Sequence, residues 1–120
     1  MELELTLTIA EDERQACTHA AVLLRGLSGG LRAIGATQEA EACGGYAATL
    51  DRIAASGECC GVNSDGKVDV EQAAFVLEGV RDGLDNADLD EGADLVGRDV
   101  ERLNDIVLRY NSEAGKAVES

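Results

Sequence analysis

Residues 89–110 read LDEGADLVGRDVERLNDIVLRY and carry the most regular hydrophobic pattern of the chain. Apolar side chains recur there at alternating spacings of four and three: Leu89, Ala93, Val96, Val100, Leu103, Val107 and Tyr110. This spacing places them along one face of an α-helix and forms a heptad seam of about three repeats. We therefore predict a helix over 88–112, roughly 36 Å long, whose apolar seam must pack against other helices.

Three shorter segments with helical periodicity precede this one, and we predict helices over 10–27, 38–56 and 70–85. Their apolar stripes are Ala16, Ala20, Leu23 and Leu27 in the first, Ala40, Cys43, Ala47, Leu50 and Ala54 in the second, and Val70, Ala73, Ala74, Leu77, Val80 and Leu84 in the third. Only three residues are aromatic and proline is absent, a composition that favours closely packed helices.

Several small motifs set the expected helix boundaries. Thr8 with Glu11 has the spacing of a capping box, and Asp69 with Gln72 suggests the cap of the third helix. The pair Gly29–Gly30 is expected to end or break the first helix. The pair Gly44–Gly45 lies inside the second helix, where it is expected to permit close approach of a neighbouring helix.

The N-terminal segment has a different pattern. Leu3, Leu5, Leu7 and Ile9 alternate with polar residues, which predicts a half-buried β-strand over 2–9. A lone strand leaves its backbone amides without partners. The partner within the chain would be the short segment 67–70, and the alternative is the same strand of a second copy. The expected fold is thus a single, mainly α domain over 1–120: a four-helix arrangement with one N-terminal β-strand paired across a dimer.

A strand followed by two helices resembles the ribbon-helix-helix repressors over about the first 55 residues. In that family the exposed strand side chains read DNA bases, and the strands pair in a dimer. Here those positions hold Glu2, Glu4, Thr6 and Thr8, and carboxylates at the first two would repel phosphate. The resemblance therefore implies a dimer more than a DNA-binding function.

These two patterns together predict a homodimer formed through the strand, the fourth-helix seam, or both. The expected interface residues are Leu3, Leu5, Leu7, Val96, Val100, Leu103 and Val107.

The charge balance limits the possible partners. The chain carries 24 acidic and 10 basic residues, a formal net charge of −14. Ten basic residues within this negative charge cannot neutralise nucleic-acid phosphates or bind an anionic membrane surface. We therefore expect neither a nucleic acid nor a membrane as a direct partner. No apolar run approaches the roughly 20 residues that span a bilayer. The N-terminus lacks the pattern of a signal peptide, so we expect a cytoplasmic protein.

Two explanations of the acidity remain open. The composition, with only two lysines, resembles that of proteins from salt-loving archaea, and concentrated salt would screen the self-repulsion. The alternative is a functional acidic face. Most of the charged side chains in the stretch 82–105 are carboxylates. They could imitate DNA phosphates and thereby bind the nucleic-acid site of a basic protein. Pairs such as Asp94–Arg98 and Asp105–Arg109, four residues apart, instead favour an ordinary exposed helix.

The segment 61–72 resembles the calcium loop of EF-hand and dockerin modules. With Gly66 at the sixth position, Asn63, Asp65 and Asp69 occupy ligand positions three, five and nine. Gly61 replaces the acidic residue at the first position, however, and Gln72 replaces the bidentate glutamate at the twelfth. The alternative is a Ser-Asp-Gly turn followed by a helix cap.

No catalytic or cofactor motif emerges from the chain. His19 is the single histidine, and no nucleophile or base is marked beside it. Cys17 and Cys43 fall on or beside apolar stripes and are most simply small core residues. We expect no cofactor and no enzymatic activity. The leading hypothesis is a non-enzymatic interaction or accessory protein with a salt-adapted surface; the alternatives are an acidic nucleic-acid mimic or inhibitor of a basic protein, and a degenerate EF-hand-like calcium-binding module.

Overall fold

The computed structural model describes residues 6–55 and 62–119, which form a bundle of four helices. The helices are α1 (Glu11–Ala33), α2 (Thr37–Ala55), α3 (Ser64–Asn86) and α4 (Asp90–Glu119). The predicted mainly helical, four-helix architecture is confirmed. The predicted boundaries of α2 are close, whereas α1 and α4 extend six to seven residues further at their C-termini and α3 begins six residues earlier.

The four helices surround one hydrophobic core. Helix α1 packs against α2 and α4, and α3 packs against the same two helices. Each helix contributes one leucine that is fully buried: Leu24, Leu50, Leu77 and Leu103. Much of the remaining core consists of alanine and valine, so the helices approach closely. The bundle measures 48 × 29 × 24 Å, and α4 runs along most of its length.

Both helical hairpins close with the same three-residue turn, a Schellman motif. After α1, the Ala36 N–H donates to Leu31 O (2.9 Å) and Gly35 N–H to Arg32 O (3.1 Å), with Gly35 at φ +86°. After α3, Leu89 N–H donates to Leu84 O and Asp88 N–H to Asp85 O in the same pattern. Asp88 occupies the left-handed position there, at φ 60°. Glycine suits this conformation and aspartate is strained in it.

The expected N-terminal strand is not formed over the described residues 6–9. Leu7 instead makes a single antiparallel bridge with Val62, through two backbone hydrogen bonds of 2.8 Å. The partner therefore lies in the same chain, and it is Val62 instead of the segment 67–70, which is helical. Residues 2–5, including Leu3 and Leu5, lie outside the described residues.

The starts of α1 and α3 differ from the predicted caps. Glu13, not Glu11, closes the first turn of α1 by accepting from the Ala10 N–H at 2.8 Å. Asn63 caps α3 because its Oδ1 accepts from the Gly66 N–H at 2.8 Å. Asp69, predicted to cap this helix, lies within it.

The glycine pairs inside the first two helices also behave differently from expectation. Helix α1 continues through Gly29 and Gly30 to Ala33. A Cβ atom added at Gly45 would meet nothing within 4 Å, and one at Gly44 would lie 3.7 Å from Ser28 Oγ, an ordinary contact. Close helix approach therefore does not require this pair.

Candidate functional site

A groove lies between α1 and α4. Its volume is about 640 Å³, within the range of roughly 300–1,000 Å³ typical of ligand sites. The α1 wall carries Asp12, Gln15, His19 and Val22, which follow one another at spacings of three and four. The facing wall of α4 carries Arg102, Asp99, Arg98, Leu95 and Gly92, and Leu84 of α3 closes one end.

One half of the groove is apolar. Val22 is 57% exposed and Leu95 is 55% exposed, although both line a concave surface. Beneath them lie Leu23, which is half-buried, and Val96, which belongs to the core. Removal of such exposed aliphatic side chains from water by a binding partner lowers the free energy of the complex.

In the other half of the groove, two polar contacts join α1 to α4. Arg102 Nε lies 3.3 Å from Asp12 Oδ2, and His19 Nδ1 lies 3.4 Å from Asp99 Oδ1. These contacts pair four of the charged or titratable side chains that line the groove. Arg98 has no carboxylate partner among the residues that the structure describes.

Burial sets the acid–base behaviour near this polar half. It raises the pKa of Asp99 above its ordinary value, while His19 and Arg102 act in the opposite direction. Burial also raises the pKa of the Cys17 thiol to about 12, with Glu13 and Asp99 acting in the same direction. The thiol of Cys17 is therefore protonated at neutral pH and, in the core, is inaccessible to a substrate.

The structure places most of the expected interface residues inside the bundle. Val96, Val100 and Leu103 are buried in the core that the four helices share, and Val107 is partly buried against it. Leu7 packs against the same core. The helical seam is therefore covered by the chain's own helices, and its burial needs no second copy.

The expected calcium ligands lie at the start of α3. Asn63 is engaged as the helix cap, and Asp69 Oδ2 accepts a hydrogen bond from Thr49 Oγ1. Asp65 is exposed in the first turn. Residues 64–69 are helical, so they do not form the open loop that wraps a calcium ion. Within the described ranges, no three side chains of the metal-binding types are gathered into a cluster.

Charge is distributed unequally between the two hairpins. Residues 6–55 carry 6 acidic and 4 basic side chains, whereas residues 62–116 carry 14 acidic and 6 basic ones. Residues 62–116 therefore have a formal net charge of −8 and residues 6–55 only −2. The predicted pairs Asp94–Arg98 and Asp105–Arg109 are not among the ion pairs of the described residues: Arg109 instead contacts Glu13. Asp85, Asp88, Asp90, Glu91, Asp94, Glu101 and Asp105 make no ion pair within the described part of the chain.

The apolar half of the groove could not be predicted from the hydrophobic stripes of the helices. Val22 and Leu95 lie off the apolar stripes of their helices, and an aliphatic residue outside such a stripe was the available signal. Val68, Phe75 and Leu108 give the same signal and are exposed as well, but they do not line the groove. Only the packing of α1 against α4 distinguishes the two groups.

Comparison of the chain with protein-family models, with curated proteins and with solved structures finds no match. Over the described residues, none of the helices has both the length and the apolar content needed to cross a bilayer.

Proposed function

We propose that this protein is a non-enzymatic interaction protein that holds a protein partner in the groove between α1 and α4. The observation that carries the proposal is the pair Val22 and Leu95, each more than half exposed on opposite walls of one apolar groove. A solvated pair of this kind is unfavourable in the free protein and becomes favourable when it is covered.

The chemistry of the groove supports binding over catalysis. Its polar half is formed by the Asp12–Arg102 and His19–Asp99 contacts, which join the two walls. The nearby thiol of Cys17 is buried and protonated. The two contacts hold the walls of the groove in place around a surface that can bind a ligand. Nucleophilic catalysis would need an accessible group of lowered pKa, which the buried Cys17 thiol is not.

The unequal charge distribution favours a second, related function, the binding of a basic protein. A net charge of −8 over residues 62–116 would steer a cationic partner toward the α3 and α4 side of the molecule. The carboxylates of α4 that have no ion-pair partner among the described residues are available for this role. A nucleic-acid mimic would use the same face, and its binding would weaken steeply with added salt.

The accessible apolar groove can be tested with Nile red, a neutral dye that fluoresces in apolar sites. We expect fluorescence enhancement with the wild-type protein and its loss in Leu95→Asp. The matched control is Leu108→Asp, the same change on the same helix at a residue that is 65% exposed outside the groove. Equal fluorescence of the two variants would refute the groove as the binding surface.

A further inference from the structure

We infer that the partner element held in the groove is a basic amphipathic helix, with apolar side chains against Val22 and Leu95 and lysine or arginine side chains against the acidic start of α4. This inference rests on the proposed function and specifies the chemistry of the partner. Three properties of the groove support it: its length, its flanking charge and the shape of its α1 wall.

The length of the groove matches a helix of a few turns. On the α1 wall, Val22 lies ten positions after Asp12, which is about 15 Å along the helix axis. The α4 wall from Gly92 to Arg102 has the same length and runs antiparallel, since Asp12 contacts Arg102 while His19 contacts Asp99. The two antiparallel helices thus lie side by side over about three turns. The groove between them can hold a third helix by ordinary ridge-and-groove packing.

The flanking charge favours a cationic partner. Asp90, Glu91 and Asp94 are exposed on the first turns of α4, beside Gly92 and Leu95 in the groove. None of the three forms an ion pair with another described residue. Lysine or arginine side chains on the flanks of a docked helix could therefore pair with them without breaking an existing contact.

The charge of Arg98 does not oppose this arrangement. Arg98 also lines an adjoining depression together with Asp94, Glu101 and Arg81, and Arg81 is itself paired with Glu78 and Asp82. Asp94 and Glu101, four residues before Arg98 and three after it on α4, lower the positive potential around Arg98, although neither forms an ion pair with it. The remaining cation of the groove, Arg102, is already paired with Asp12.

Beyond Val22 and Leu23, where the α1 lining of the groove ends, the same face of the helix carries glycines. Gly26 lies one turn after Val22 on the same face, and Gly30 lies one turn further. Both are exposed, and a Cβ atom added at either position would meet nothing within 4 Å. The backbone of a docked helix can approach this glycine surface closely. A small rigid ligand would find few side-chain atoms to contact there.

The test uses the full chain and two synthetic peptides of roughly four helical turns. One has leucine at heptad positions a and d and lysine elsewhere; the other has glutamate in place of lysine. Binding is measured by fluorescence anisotropy at ~0.15 M KCl, where long-range attraction is screened. We expect the basic peptide to bind and the acidic peptide to fail to bind.

Gly26→Leu is the decisive variant, because it should have opposite effects on folding and binding. Leucine in place of a solvent-exposed helical glycine raises the melting midpoint, but its side chain would project from the face of α1 one turn beyond Val22, where a docked helix that extends past the groove would lie. We expect Kd for the basic peptide to rise at least about tenfold. Gly45→Leu is the control: Gly45 is exposed on α2, has the same free space, and should leave Kd unchanged. Leu95→Asp with Leu108→Asp provides a second pair that does not depend on Gly26.

The outcomes separate this inference from the proposed function. Equal Kd values within both pairs of variants, Gly26→Leu with Gly45→Leu and Leu95→Asp with Leu108→Asp, would mean that charge alone holds the peptide, and would overturn the inference. Equal binding of the acidic peptide would do the same. In both cases a Nile red signal specific to Leu95 would leave the proposed function standing, and its loss would remove that function too. Sedimentation showing a wild-type dimer that Gly26→Leu dissociates would make a second copy the occupant, which also overturns the inference.

Discussion

Glu13 and Arg109 connect the start of α1 to the second half of α4. Arg109 Nη2 lies 2.9 Å from Glu13 Oε1 and also donates to Thr8 O at 3.2 Å. The same carboxylate oxygen accepts from the Ala10 N–H, and the Glu13 side chain is only 6% exposed. One buried carboxylate thus orients the chain entering the bundle, the first turn of α1 and a helix distant in sequence.

Removal of this carboxylate should be costly. We expect Glu13→Ala to lower the free energy of unfolding by about 2 kcal/mol, because the Ala10 N–H loses its acceptor and Arg109 loses its ion pair. Urea denaturation followed by circular dichroism measures the change. The control is Glu11→Ala, in the same turn, whose carboxylate is 73% exposed and 3.4 Å from Arg14. That variant should change stability by less than about 0.5 kcal/mol, and equal losses would contradict the bridging role of Glu13.

The two hairpin turns offer a reciprocal pair of substitutions. Asp88→Gly should stabilise the protein by about 1 kcal/mol, since glycine removes the strain of a left-handed aspartate. Gly35→Ala, at the equivalent position after α1, should destabilise it by a similar amount. Thermal unfolding of both variants checks the signs. Asp88→Ala controls for the lost charge, because alanine removes the carboxylate and keeps a Cβ atom in the left-handed conformation; a gain in that variant as large as in Asp88→Gly would assign the effect to electrostatics.

Asp99 should make stability decrease as the pH rises from acid. Its pKa is raised on folding, so the folded chain holds this proton more tightly than the unfolded chain. The stabilising contribution is complete below the unfolded pKa of about 3.9 and is lost as the pH rises through the folded pKa. Asp99→Asn removes that dependence and keeps an oxygen that can accept from His19.

Melting midpoints of Asp99→Asn and wild type should therefore converge at low pH and separate toward pH 7, with the variant more stable there. Asp94→Asn, at an exposed site on the same helix, corrects for the general relief of negative charge. An Asp99→Asn advantage that is constant with pH, or no larger than that of Asp94→Asn, would contradict the assignment.

A formal net charge of −14 should make the fold sensitive to salt. We expect the melting midpoint to rise with KCl, because the Debye length falls from about 30 Å at 0.01 M to about 3 Å at 1 M. Far-UV circular dichroism during a KCl titration measures the effect. A midpoint that is the same in dilute and concentrated KCl would argue against a salt-adapted surface and would leave the acidic hairpin as a binding face.

The helices could be predicted because their periodicity is local. A stripe at spacings of three and four identifies the buried face of α4 before any partner is known, and the burial of Val96, Val100 and Leu103 agrees with it. The strand could not be predicted in the same way. Alternation at 3, 5, 7 and 9 indicates which side chains prefer burial, but a strand also needs a neighbouring ladder, and Val62 supplies only one bridge.

The glycines of α1 and the groove show a second limit of local patterns. Gly29 and Gly30 weaken a helix, yet Leu27 and Leu31 on either side of them pack against the core and offset the cost. Val22 and Leu95 have no periodic signature, and their relation appears only when α1 lies against α4. A groove is a property of two helices together, and the pattern of neither one contains it.

The unequal charge of the two hairpins gives the molecule a permanent electric dipole across the bundle. On a positively charged support, the protein should adsorb through the hairpin of α3 and α4 and present α1 and α2 to the solution. In free solution the same dipole would turn the acidic side toward an approaching cationic molecule before any contact forms. The distribution of charge therefore determines which side of the protein meets such a molecule first.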